Sequence, residues 1–120
     1  IDGEIIEMVA VDGKHIRCVT MLNHRLVYAV GPDVYVSPQN SVQLDIRSEP
    51  EPDFAILRAL PEGRTPPRTE DVVLVIEVAD TSLVYDLNVK VPLYTRAGIP
   101  ELWVVDLTAL RVIQHADPDD

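Results

Sequence analysis

Residues 72–79 read VVLVIEVA, seven apolar residues around the single carboxylate of Glu77, with Asp71 before them and Asp80-Thr81-Ser82 after. A short, β-branched apolar run bounded by turn residues is the pattern of a buried strand. Such a strand does not readily hold a lone charge, because burying an unpaired carboxylate costs several kcal/mol or forces its protonation. Glu77 therefore requires either a partner or a chemical task.

Around this strand the chain divides as follows. Residues 1–9, IDGEIIEMV, suggest a strand, and Asp12-Gly13 suggests a turn. From His15 to Val30, Ile16, Val19, Leu22, Leu26, Val27 and Val30 keep helical spacing, and Gly31-Pro32 closes the helix. Short strands are expected at 34–36, at the alternating stretch 42–46 and at 53–57. PEGRTPPRTE, residues 61–70, is a proline-rich surface loop. After VVLVIEVA, Thr81 or Ser82 begins a helix that runs to about Ala97 and stops at Gly98, with Pro92 predicting a kink or a late start. ELWVVD at 101–106 and LRVIQH at 110–115 read as paired strands. Helices before and after the central strands favour an α/β fold in layers, with a mixed sheet.

With 120 residues the chain is long enough for one domain with a real core. No apolar stretch is long enough for a membrane helix and no signal-peptide pattern is present, so membrane partners are not expected. The lone cysteine, Cys18, excludes an internal disulfide and a cysteine-based zinc site, and fits a cytoplasmic setting. The net charge of −10 excludes the broadly basic surface typical of nucleic-acid binders. Any nucleic-acid chemistry must therefore rest on a local site.

Three features go beyond core and surface: Asp53, which follows Pro52 at the start of a strand; Glu77; and Lys90, one of only two lysines, on the helix after the buried strand. Asp86, Lys90 and Tyr94 are spaced four apart and share a helical face. Two carboxylates on adjacent strands, if they converge, suit a hard cation such as Mg²⁺, which takes one or two carboxylates plus water and phosphate oxygens. The ion lowers the pKa of its water, and a lysine can position that water or stabilise charge on phosphorus. The bland alternatives are a strand-entry aspartate at 53, a core ion pair at 77 and a solvated Asp86–Lys90 pair.

At these positions the chain resembles the PD-(D/E)xK nuclease superfamily, and within it the Uma-two-type restriction endonuclease family. The resemblance is carried by Ile1-Asp2-Gly3-Glu4-Ile5, Glu51-Pro52-Asp53, Val75-Ile76-Glu77-Val78 with Ser82, Asp86 with Lys90 and Tyr94, and Gly98-Ile99-Pro100-Glu101-Leu102-Trp103-Val104-Val105-Asp106. It implies a restriction-endonuclease-like core of order αβββαβ as a single domain over 1–120, lacking a helix that the family often carries before the position of Ile1. It also implies a DNA endonuclease using Mg²⁺ or Mn²⁺, with Asp53 and Glu77 as metal-binding acids and Glu4 completing the shell. The usual lysine two residues after the glutamate is replaced by Ala79, and the resemblance assigns its role to Lys90. The family's dimers imply a homodimer. The rival reading is a non-catalytic module that keeps the fold for dimerisation or partner binding, which the acidic charge and the apolar C-terminal hairpin favour.

Overall fold

The computed structural model describes residues 2–63 and 65–116, with side chains from residue 13 onward. Strands β1 (Tyr35–Pro38), β2 (Phe54–Leu57), β3 (Val72–Ala79), β4 (Glu101–Asp106) and β5 (Arg111–Ala116) lie side by side in chain order. Neighbours are antiparallel except β3 and β4, which are parallel. A parallel pair needs a crossover, and a helical run supplies it: α2 (Leu83–Tyr85), a π turn (Asp86–Lys90) and α3 (Val91–Arg96). Helix α1 (Asp2–Val30) precedes the sheet, so the order is αβββαβ with β5 added as a hairpin partner of β4.

Alternation along the strands sends side chains to two cores. Phe54, Ile56, Leu74, Ile76 and Val78 pack with Val19 of α1, flanked by Leu22 and Leu26. Ala55, Leu57, Val75, Ala79, Leu102 and Val104 pack with Val91, Tyr94 and Ile99 on the opposite face. β3 is therefore covered on both sides, which is why its sequence is apolar throughout rather than alternating. Glu77 shares the parity of Val75 and Ala79, so it faces the α2–α3 layer.

Helix α1 replaces the expected strand at 1–9 and the turn at Asp12-Gly13: one helix runs through both. A glycine inside a helix costs about 1 kcal/mol relative to alanine, which a long helix can absorb. Its C-terminus lies where expected, at Val30, with Gly31 at φ 74°. The strand expected at 42–46 is also absent. Val42 is buried, but its N–H donates to the Pro50 carbonyl, that of Gln43 to Pro67, and that of Leu44 to Ser48. Prolines at 50, 66 and 67 have no N–H to return, so loop contacts replace a ladder there. The alternation ends in Ile46, which is 97% exposed at a turn. The helix after β3 stops as expected, with Gly98 at φ 95°.

Phe54 is fully buried between α1 and the sheet. Phe54→Ala is expected to cost about 3–5 kcal/mol, measured by urea denaturation, a large share of a domain's stability.

Candidate active site

The last paired residues of β2 and β3 at this end are Phe54 and Ile76; one step further stand Asp53 and Glu77. Here carboxylates take over from the main-chain ladder. The Asp53 N–H donates to Glu77 Oε1 at 2.9 Å, and the Val78 N–H donates to Asp53 Oδ2 at 2.8 Å. Each strand thus satisfies the other's backbone with an acidic side chain, and the two acids are fixed at the point where the strands part.

Lys90 closes the arrangement from the helical layer. Its Nζ donates to Glu77 Oε2 at 2.7 Å and lies 3.4 Å from Asp86 Oδ1. Asp86 is itself buried and accepts from Ser82 Oγ at 3.0 Å. The π turn ends at Lys90, two residues before Pro92, whose missing N–H would have interrupted a regular helix at this point. From the other face, His15 Nε2 approaches Asp53 at 3.3 Å. These side chains line one cleft of about 230 Å³, together with Glu51, Asp80, Thr81 and Val78.

The Glu77–Lys90 pair differs at its two ends. Glu77 is 3% exposed and Lys90 is 36% exposed. For Glu77, burial outweighs the hydrogen bonds from Lys90 and the Asp53 N–H, so its carboxyl stands above the ordinary glutamate value. For Lys90, burial pulls the ammonium down, but the hydrogen bond and charge of Glu77, with Asp86, more than reverse this and raise it. Lys90 therefore keeps its proton, while Glu77 carries the cost of desolvation. Beneath them lies Tyr94, 1% exposed, its hydroxyl buried without a hydrogen-bond partner among the described residues. Burial, then the charges of Glu77, Asp53 and Asp86, push its phenol well above the usual range.

Asp53, Glu77 and Lys90 thus meet in one cleft, which Asp86 also lines, while Tyr94 packs in the core on the same side of the sheet. Glu4 lies on α1 outside the residues whose side chains are described. His15, the first residue of the helix expected from the sequence, borders the cleft. The signal was available: it heads the stripe of Cys18, Val19, Leu22 and Leu26 that turns toward the sheet. Among the described residues no three His, Cys, Asp or Glu side chains are grouped as a ready metal-ligand set. Nor is any described helix long and apolar enough to cross a membrane.

A family model described as "Uma2: Putative restriction endonuclease" matches residues 1–120. The chain belongs to this family. No curated protein gives a significant match. The mixed sheet and helix order agree with the restriction-endonuclease-like fold, and in this Uma2-family chain the cleft sits where β2 and β3 part.

Two outcomes follow from the pair and from the tyrosine. Lys90→Met is expected to destabilise by about 1–3 kcal/mol at neutral pH, less than for a wholly buried pair because Lys90 is partly exposed. Since the folded pKa of Glu77 is raised, its charge costs nothing below the ordinary glutamate value and most above its folded value. The loss in Lys90→Met should therefore shrink as denaturation is followed down to about pH 4. Tyr94→Phe removes an unpartnered hydroxyl, so stability should hold or rise by up to about 3 kcal/mol. The raised phenol contributes stability that is full below about pH 10 and lost above it, so wild type should weaken there and Tyr94→Phe should weaken less.

Proposed function

We propose that this protein is a metal-dependent endonuclease that hydrolyses DNA phosphodiester bonds in the cleft where β2 and β3 part. One observation carries the reading: Asp53, Glu77 and Lys90, far apart in sequence, line a single cleft, with Lys90 Nζ 2.7 Å from Glu77. Family membership over the whole chain supports it.

The cleft's charge favours a cation. Glu51, Asp53, Glu77, Asp80 and Asp86 face it, against Lys90 and His15. A phosphate would be repelled from so acidic a wall until a cation offset it. Asp53 and Glu77 are hard oxygen donors of the kind Mg²⁺ or Mn²⁺ takes, and they would hold the ion, with Glu4 as a third acid in the same proposal. An ion bound there would supply a water of lowered pKa and would stabilise charge gathering on the phosphoryl oxygens. The protein's own part is positional. The N–H groups of Asp53 and Val78 hold the two carboxylates in place, and Asp86, itself held by Ser82, steadies Lys90. Lys90, protonated and partly open to the cleft, would offer its remaining N–H donors to the attacking water and a phosphate oxygen. With Ala79 on the strand, the ammonium comes from the helix, and the π turn sets its approach.

A second reading, a non-catalytic module of the same fold, is favoured by one observation: both acids are already engaged, by a backbone N–H and by Lys90. Plasmid cleavage separates the two. Wild type with Mg²⁺ or Mn²⁺ should nick or linearise the plasmid, EDTA should abolish this, and Asp53→Asn, Glu77→Gln and Lys90→Ala should each slow it by about 10²-fold or more. Equal residual cleavage by the variants would assign the activity elsewhere. Calorimetry showing no Mn²⁺ uptake at millimolar concentration would favour the module. Assembly as a homodimer belongs to the same proposal and is checked by sedimentation equilibrium.

A further inference from the structure

In a chain with twenty acidic and ten basic residues, the stretch from Gly13 to Pro32 contains no acid at all. It holds Lys14, Arg17 and Arg25, and up to Val30 it forms the C-terminal part of α1. At 3.6 residues per turn these three cations fall within a sector of roughly 80°, and Met21 and Tyr28 fall in the same sector. The opposite flank at the same level carries Ile16, Thr20, Asn23 and Val27, with no charge. The basic sector is turned to solvent: Met21 is 51% and Tyr28 83% exposed, and Lys14, Arg17 and Arg25 are exposed as well. None of the three has an acidic side chain within 4 Å among the described residues. A broad, shallow groove runs past Met21, His24, Arg25 and Tyr28, and the rings of His24 and Tyr28 stand 5.7 Å apart.

Place matters as much as charge. Lys14 is next to His15, which borders the cleft and touches Asp53. The stripe begins at the proposed site of cleavage and runs along the helix for about 21 Å, from Lys14 to Tyr28, at 1.5 Å per residue. We propose that this flank of α1 binds the phosphate backbone of nucleic acid and leads it to the cleft. The choice of nucleic acid as partner rests on the functional reading above. Charge complementarity favours it over a second copy packed helix to helix, which would set two cationic stripes against each other. It also resolves how so acidic a protein would hold a polyanion: three of its ten cations stand together on a helical stretch that contains no acid. Apolar and aromatic groups among the cations add surface on which sugars or bases can rest.

The test is binding of a short fluorescein-labelled DNA duplex, followed by anisotropy in EDTA across a salt series, which requires neither metal nor cutting. The variant Lys14→Gln/Arg17→Gln/Arg25→Gln keeps good helix formers at exposed positions, and circular dichroism checks its fold. Wild type should bind with a negative log–log salt slope. The triple variant should lose about one unit of slope per cation and weaken about tenfold or more at low salt. Arg47→Gln/Arg96→Gln, which removes two exposed cations elsewhere, should leave the slope unchanged. A triple variant that binds like wild type overturns the inference, and so does a wild type that does not bind DNA. A triple variant that alters sedimentation but not DNA binding also overturns it, assigning the stripe to contact between copies. Salt-dependent binding through α1 without metal-dependent cutting would uphold the inference and sink the catalytic reading instead.

Discussion

The exchange between Asp53 and Glu77 is the contact on which the rest of the site depends. Where two strands separate, each loses ladder partners, and buried N–H groups left unpaired are costly. Here the orphaned donors of Asp53 and Val78 are met by carboxylates from the facing strand. The same bonds that end the sheet cleanly also aim two acids at one place. Removing either acid would leave a backbone donor at the strand ends without its partner, so any variant at these positions changes the fold locally as well.

Lys90 completes the logic from a different layer. A lysine two positions along β3 would point to the same face as Glu77 and lie beside it. In this chain that place is Ala79, packed in the core, and the ammonium arrives from above. The solution demands that a helix carry Lys90 to the right height and angle, and Pro92 makes a regular helix difficult there. The wider π turn absorbs the misfit and ends at the residue that must reach the carboxylate. A local irregularity and a site residue thus have a common origin in one proline.

Much of this was legible in the chain itself, and for physical reasons. β3 and β4 stand at the bounds their apolar patterns suggest, because burial on the sheet leaves no freedom in composition. Asp53, Glu77 and Lys90 could be singled out because each breaks the pattern of its element. What escaped was set by partners distant in sequence. The stretch at 42–46 alternates like a strand, yet its N–H groups are claimed by loop carbonyls. The first residues lack a clean period, and only continuity with the later turns makes them helical. His15 gains its role from the docking of α1 against the sheet, which spacing hinted at but could not place.

The cleft is also a burden on the fold. A buried glutamate held against its desolvation, a buried aspartate and a tyrosine hydroxyl without a partner among the described residues lie close enough for the two charges to act on the phenol. Evolution under selection for heat resistance alone would find its easiest gains here, by exchanging these groups for apolar ones of similar size. In its present polar form the cleft trades stability for the position of its charged groups, and each apolar exchange that stabilised the fold would erase part of that arrangement.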